Sequence, residues 1–538
     1  MERITYSMKT LYHQNKTLLY KLCLLFIFLL ALFLRLYRLT ELPDVLHCDE
    51  AALGYNAWCL AHYGVDRYLN NMPIYPQNFD GGQSPLYTYS VALLLRAFGN
   101  GRISLFLVRL PGLISSMLAV IFGTKTISRI FRSRSLTLTG AFILTVCPYY
   151  IMHGRFALDC NLMLGCSIVA LYCLVKYIQC GRLSQLIVCG VSFGVVLYSY
   201  ALSYFVLPIF LCTMALYLLY TGKITFPRMI IWAITVCVTA LPIILFIFSL
   251  LFDIAPYRFL CFTISPIASS RMEGVGLDAM AYNIQFAVKL SLTCGFYPLD
   301  AVDKFYTLYP ASIPFIIIGV VTTIYHFIVS IVKRTFHFSS IYFLFSLSSL
   351  ITAGLSGGLY VYRINYFFAS YIYFIMAGIY AIYHFMKTYK NILLLVINSC
   401  YLLWGLSFLK YYNTIYSVPT VQTYATFPSY LYFELAEEPI TFVETELQPQ
   451  EIYCDCVGYG VYYYFYVPIS PYEISETGSP DDSDRKNYHY NVEYGTRLSS
   501  GNAYIVRKEN TEFLDQLQQF DLEYDTWEFK YFYVIYLK

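Results

Sequence analysis

Asp49 and Glu50 stand side by side shortly beyond the first long apolar run, in LPDVLHCDEAALGYNAW. Adjacent carboxylates in such a place can do two kinds of work. Asp49 can cap a helix running through Ala51 to Ala61. Alternatively, one of them can serve as a base at the membrane surface, drawing a proton from an acceptor nucleophile. The other acids favour the second reading. Residues 1–410 hold 13 of the 33 acidic residues, and on the topology argued below all but Glu2 fall on the outer side. A polytopic membrane protein that gathers its carboxylates on one face has built a polar site there, which points to an enzyme or a translocation path. His47 and His153 flank these acids and, with Asp49 and Glu50, could form a divalent-cation site. Histidine at an interface is more often structural, so no metal is assigned. Asp80, in Phe79-Asp80-Gly81-Gly82, either touches a ligand or opens a glycine turn. Asp300 and Asp303 read as solvated loop acids.

The elements that must position these residues are membrane helices. The chain has 538 residues, 58% hydrophobic and 13% charged, with apolar runs recurring from Leu18 to Leu409. Expected spans are 18–36, 103–124, 136–152, 160–178, 184–201, 203–221, 228–251, 309–332, 338–355, 365–386 and 391–409. The first follows Lys9, Lys16 and Lys21 and runs on into Arg35 with no small-residue cleavage site, so it reads as an uncleaved anchor. Segment 85–98 is too short to cross and suits a juxtamembrane helix. The 16 cysteines lie mostly in apolar spans, where a thiol is a small hydrophobe. No basic domain or reader motif points to nucleic acid.

Charge parity orients the chain. If 85–98 stays on one side, Lys125 and Arg129, Lys176 and Arg182, and Lys333 and Arg334 all lie in the cytoplasm, as the positive-inside rule asks. Lys223 with Arg228 and Lys387 with Lys390 follow the same rule. The N-terminus is then cytoplasmic. Segments 37–102, 153–159, 252–308 and the tail beyond 410 lie outside. That tail carries the remaining 20 of the 33 acids. It reads as a small α/β domain, with strands at 502–507 and 528–537 around a helix at 511–520. The expected organisation is a membrane domain over 1–410 and an extracytoplasmic soluble domain over 411–538.

The first loop resembles that of bacterial family 39-like glycosyltransferases of the GT-C fold, relatives of the protein mannosyltransferases and lipid A aminoarabinose transferases. The resemblance rests on Asp49-Glu50, then Gly54-Tyr55-Asn56-Ala57, Ser84-Pro85-Leu86-Tyr87 and Arg109-Leu110-Pro111, in that order. It continues in His153-Gly154-Arg155 with Asp159, in Tyr198 to Pro208, and in Arg363-Ile364-Asn365-Tyr366-Phe367. It covers roughly residues 18 to 410, and its specificity lies in the combination and order of the pieces.

The resemblance implies an α-helical polytopic GT-C enzyme of about eleven transmembrane helices. It would transfer a sugar from a polyprenyl-phosphate carrier, with inversion, to an acceptor on the outer face. Asp49 would deprotonate or orient the acceptor, with Glu50 and Asp159 positioning it or the sugar. Tyr55, Asn56 and Asp80 are further candidates for substrate contact. Many relatives carry a lysine before the Pro-Leu-Tyr segment, where it can meet the lipid phosphate. This chain has Gln83 there, which can donate hydrogen bonds but brings no charge. Arg155, Arg363 and Arg258 are then the external cations for the phosphate, since a guanidinium matches it bidentately. Two rival classes are a lipid-linked glycan transporter or flippase and a glycan polymerase or ligase. The first calls for ionisable groups in mid-span, the second for a late external loop rich in arginine. The acids sit in loops, and 252–308 holds only Arg258 and Arg271.

Overall fold

The computed structural model describes the chain except residues 1, 44, 80, 268–276, 295–298, 301, 357–358, 387, 417–431, 435–436, 456–460, 478–486, 491, 493–494, 509 and 520–521. Helix α1 (Glu2–Leu36) is followed by a loop holding α2 (Cys48–Tyr63) and α3 (Pro85–Phe98). Next come α4 (Leu105–Phe131), α5 (Arg134–Val146), α6 (Pro148–Met152) and α7 (Asn161–Cys180). They lead to α8 (Leu183–Val196), α9 (Ser203–Tyr220) and α10 (Phe226–Phe252). After a second long loop come α11 (Met280–Leu292), α12 (Ile313–Val332), α13 (Ser339–Leu355), α14 (Phe368–Phe385) and α15 (Lys390–Thr414).

Every expected span overlaps helix, and the chain is an α-helical polytopic membrane protein. Among the described residues, eight helical stretches are long and apolar enough to cross a bilayer. Helices α5, α8 and α13 are shorter, at 13, 14 and 17 residues. At 1.5 Å per residue these reach roughly 20–26 Å, against a hydrocarbon core of about 30 Å. The expected span 136–152 is broken because Pro148 has no N–H to donate, and Cys147 before it is extended. The expected span 184–201 ends as helix at Val196 and continues as turns.

The chain divides into two compact units. The first comprises residues 1–39, 111–244 and 271–416. Its helices carry lipid-facing side chains: Leu25, Phe26, Leu29, Ile317 and Val321 are all more than half exposed. So large an apolar surface calls for lipid rather than water. Inside the unit, α12 and α14 cross with their backbones in contact. A Cβ on Gly319 would run into the Phe374 carbonyl, and one on Gly378 into that of Phe315. Small residues allow such close approach where lipid tails offer no competing hydrophobic drive.

The second unit comprises residues 40–110, 245–270 and 417–538. It contains α2, α3 and, among the described residues, every strand. Strand β1 (Val45–His47) leads into α2, and β2 (Gln77–Asn78) pairs with β3 (Gly81–Gly82) just before α3. The hairpin of β4 (Tyr257–Phe259) and β5 (Phe262–Ile264) bonds to the first loop through Thr263, which receives Ile74 N–H and donates to Met72 O, each at 2.9 Å. From the tail, β6 (Tyr432–Glu434) pairs antiparallel with β1. The remaining strands are β7 (Ile452–Cys454), β8 (Tyr488–Tyr490), β9 (Ala503–Arg507), β10 (Tyr524–Glu528) and β11 (Phe532–Leu537). They form one sheet in the order β10-β11-β9-β7-β8, with β7 parallel to both its neighbours. The helix Thr511–Gln519 seats Phe513 and Leu517 against Tyr504, Val506 and Ile535. The tail is therefore the small α/β assembly expected, and β10 adds a hairpin partner to the strand expected at 528–537.

Candidate active site

Helix α2 presents the carboxylate pair in its first turn, where the positive end of the helix dipole favours negative charge. The cap is not Asp49 but His47. Its Nδ1 accepts the Asp49 N–H at 3.0 Å. Burial holds the His47 imidazole below its ordinary pKa, against the pull of Asp49 and then Glu50, and so keeps Nδ1 open as an acceptor.

The two carboxylates have different surroundings. Glu50 is buried and pairs bidentately with Arg109, Nε to Oε1 at 2.8 Å and Nη2 to Oε2 at 3.0 Å. Arg109 also donates to Pro43 O. The Asp49 side chain is 36% exposed. Its Oδ1 accepts one hydrogen bond, from Asn78 Nδ2 at 3.0 Å. Asn78 is aimed in turn by Arg67, whose Nη1 donates to Asn78 Oδ1 at 2.9 Å. The Arg67 N–H donates to Asn56 Oδ1, and Asn56 Nδ2 donates to Gln77 O. Asp66 ties the same loop down by accepting from the N–H groups of Tyr68, Asn70 and Gln77. Burial raises its pKa, partly offset by those bonds.

This arrangement places several candidates inside the scaffold. Asn56 serves the relay to Asp49. Tyr55 is fully buried, and its hydroxyl donates to Ile469 O at 2.8 Å. Gln83 is buried too, and its Nε2 donates to the Asp49 carbonyl at 3.0 Å. Its Oε1 is buried without a hydrogen-bond partner among the described residues. Arg258 lies exposed on β4. Asp80 lies outside the described residues. In the sequence Arg109 stands out only within Arg109-Leu110-Pro111; its partner Glu50 is 59 positions away, and no local pattern marks Asn78 or Arg67 as part of the site. The signal was a buried-type ion pair hidden by sequence distance.

The other candidates belong to the first unit. Asp159 stands just before α7, with Oδ1 accepting the Cys160 N–H at 2.8 Å. Asn365 donates to Cys160 O and ties the segment Tyr362–Phe367, which carries Arg363, to the start of α7. Arg363 packs over the rings of Tyr360 and Tyr362. Asp159 and Arg363 both lie within electrostatic range of Tyr200. Arg155 is differently used. It is buried, and its guanidinium donates to the carbonyls of Leu34, Arg35, Tyr37 and Arg38. Those are the unsatisfied acceptors at the end of α1. His153 is buried, and its Nδ1 meets Tyr149 O at 2.8 Å. Burial pushes its pKa down to about 3. Asp303 is exposed as expected, but Asp300 is fully buried. Burial drives the Asp300 carboxyl well above the usual carboxylate range, which corrects its reading as a solvated acid.

One trio has metal-ligand chemistry: His47, Cys48 and Asp49 place a ligand atom each within 4.8 Å of one another. The fit is poor. His47 Nδ1 already receives the Asp49 N–H, burial raises the Cys48 thiol and disfavours its thiolate, and Glu50 is taken by Arg109.

Residues 82–249 match the family model of the dolichyl-phosphate-mannose-protein mannosyltransferases. The fold is similar to that of ArnT from Cupriavidus metallidurans bound to undecaprenyl phosphate, with TM-score 0.54 at 9% identity over 97% of this chain and 98% of that one. The apo form of the same ArnT gives TM-score 0.51 at 11% identity, with the same coverage. An AglB oligosaccharyltransferase from Archaeoglobus fulgidus gives TM-score 0.47 at 13% identity, over 85% of this chain and 64% of that one. No curated protein sequence is significantly similar. The family match over residues 82–249, the shared fold and the membrane helices together make the chain similar to membrane glycosyltransferases of the GT-C fold.

Proposed function

We propose that the protein transfers a sugar from a polyprenyl-phosphate carrier to an acceptor on the outer face of the membrane, with inversion, and that Asp49 is its general base. The observation that carries this reading is the contrast within one helical turn. Asp49 is reachable and, among the described residues, its carboxylate accepts one hydrogen bond, from the Asn78 amide, with His47 Nδ1 3.9 Å away, whereas Glu50 is buried and paired with Arg109. A proton acceptor must be reachable, and its lone pairs must not all be engaged. In the proposed step an acceptor O–H or N–H attacks the anomeric carbon. The bond from that carbon to the phosphate oxygen breaks, polyprenyl phosphate departs with the electron pair, and the acceptor proton passes to Asp49. Glu50 acts as a positioning residue through Arg109. The fold shared with an ArnT bound to undecaprenyl phosphate supports a lipid-phosphate donor.

For the phosphate we favour Arg363, with Arg258 as the exposed alternative, and we assign Asp159 to positioning the acceptor or the sugar. Arg155 we assign to the end of α1. We place residues 1–410 as the catalytic membrane part, with the N-terminus in the cytoplasm and 411–538 outside. Reporter fusions or cysteine labelling that put 125–135 outside, or the tail inside, would refute that topology.

The test of function is transfer by the pure protein in nanodiscs. Polyprenyl-phosphate sugars are offered with envelope lipid, peptide and polymer acceptors, and products are read by mass spectrometry and anomeric NMR. Transfer with inverted anomeric configuration is expected. Retention of configuration, or movement of intact carrier across the bilayer without transfer, would overturn the reading.

A further inference from the structure

We propose that the C-terminal segment is a positioning clasp for α2 and, through it, for Asp49; this rests on the base role assigned to Asp49 above. Contacts along the whole helix carry it, all within the second unit. At the N-terminal end, β6 lies against β1 with Leu46 opposite Phe433 and His47 opposite Tyr432. His47 is both the last residue of β1 and the N-cap of α2, so the pairing grips the chain two residues before Asp49. In the middle, the helix Val461–Tyr466 packs on α2. The approach is so close that a Cβ on Gly54 would stand 2.6 Å from a Phe465 ring carbon. Beside it, Tyr55 donates to Ile469 O at 2.8 Å, and its ring lies 5.1 Å from that of Tyr464. At the C-terminal end, Tyr63 meets Tyr472 edge-on with centroids 6.1 Å apart.

The physical need for such a grip is plain. α2 has only 16 residues, and most of the stability of such a helix comes from tertiary packing, so its axis is set by what packs on it. A base must stand within hydrogen-bond reach of the proton it takes, and a misplacement of about 1 Å can cost on the order of 10²-fold in rate. Asn78 aims the Asp49 carboxylate from the loop side. The tail fixes the backbone that carries it. The tail is thus part of the catalytic geometry rather than an appended domain.

The test uses full-length protein in nanodiscs with a polyprenyl-phosphate sugar, reading kcat and donor KM per folded molecule. Gly54→Ala pushes a methyl group against Phe465 and should lower kcat by roughly 10-fold or more, with donor KM within about twofold. Gly54→Ala combined with Phe465→Leu makes room again and should recover most of that loss. A merely structural role would lower folded yield without this selective, rescuable loss of kcat. Normal kcat in Gly54→Ala, or a double variant worse than the single one, would overturn the clasp. Hydrogen exchange gives a readout that needs no substrate. Tyr55→Phe removes only the hydroxyl and should speed exchange across residues 48–63 by roughly 2- to 10-fold. Unchanged exchange there would also overturn it. If wild-type protein transfers no sugar from polyprenyl phosphate, the functional reading falls, and the exchange result still decides the clasp.

Discussion

Asp49 and Arg155 both lie in external segments that follow an expected membrane span, and from sequence both look like site residues. Their surroundings set them apart. Around Asp49 the scaffold arranges charge so that one carboxylate stays reachable: Arg109 answers Glu50, and a neutral amide answers Asp49. Around Arg155 the scaffold consumes the charge, because four backbone carbonyls at the end of α1 take its N–H groups. A charged side chain near the bilayer surface is therefore not a site by virtue of its charge. What decides is whether the fold has already satisfied it.

The sharpest way to break this contrast is Asp49→Asn. General-base assistance is worth roughly 10²–10⁴ in rate, so kcat should fall by about that factor while folding and donor KM hold. Near-normal turnover of the pure variant would remove Asp49 from the chemistry and turn attention to Asp159.

Next is Arg109→Ala, which strands Glu50 as a buried, unpaired carboxylate. Losing one partner of a buried pair costs about 3–5 kcal/mol. The variant should melt well below wild type, and adding Glu50→Gln should recover much of the loss. Equal melting of the single and double variants would show that the pair is not buried as described.

Arg155→Ala should lose about 1.5–3 kcal/mol, as for hydrogen bonds to a charged group, and loosen the end of α1. Donor KM per folded molecule should stay near wild type, whereas Arg363→Ala should raise it roughly 10- to 150-fold if a charge-assisted contact to phosphate is lost. A donor KM defect in Arg155→Ala equal to that of Arg363→Ala would erase the distinction between cap and site.

The smallest effect concerns His47. Its folded pKa lies below the ordinary 6.5, so the unfolded chain takes up the proton first as pH falls. The stability it contributes is complete above about pH 6.5 and is lost as pH drops below that value. His47→Asn keeps a capping side chain without the titration and should flatten this part of the stability profile. An unchanged acid limb in His47→Asn would assign that limb to other groups.

Much of this molecule was legible in its sequence. Apolar runs of membrane length, the short segment 85–98, and the strand and helix patterns of the tail each follow from local composition, and each appears where expected. The adjacent acids at the start of α2 were visible because proximity along the chain is proximity in space there. The breaks were harder to read. Pro148 interrupts what looks like one continuous run, and only the lengths of α5 and α8 show how far helix extends.

The partners were not legible. Glu50 and Arg109 are 59 positions apart, and Tyr55 and Ile469 are 414 apart. Nothing in the composition of residues 40–50 announces that a strand from the tail will pair with β1. Hydrophobicity and charge order determine which segments become helix and which enter the membrane, because each is a property of a short window acting against a solvent. Which carboxylate remains open, which arginine is consumed as a cap, and which distant segment holds α2 depend on hydrogen bonds and packing at a few ångströms. Those are settled only when chain closure brings the partners together.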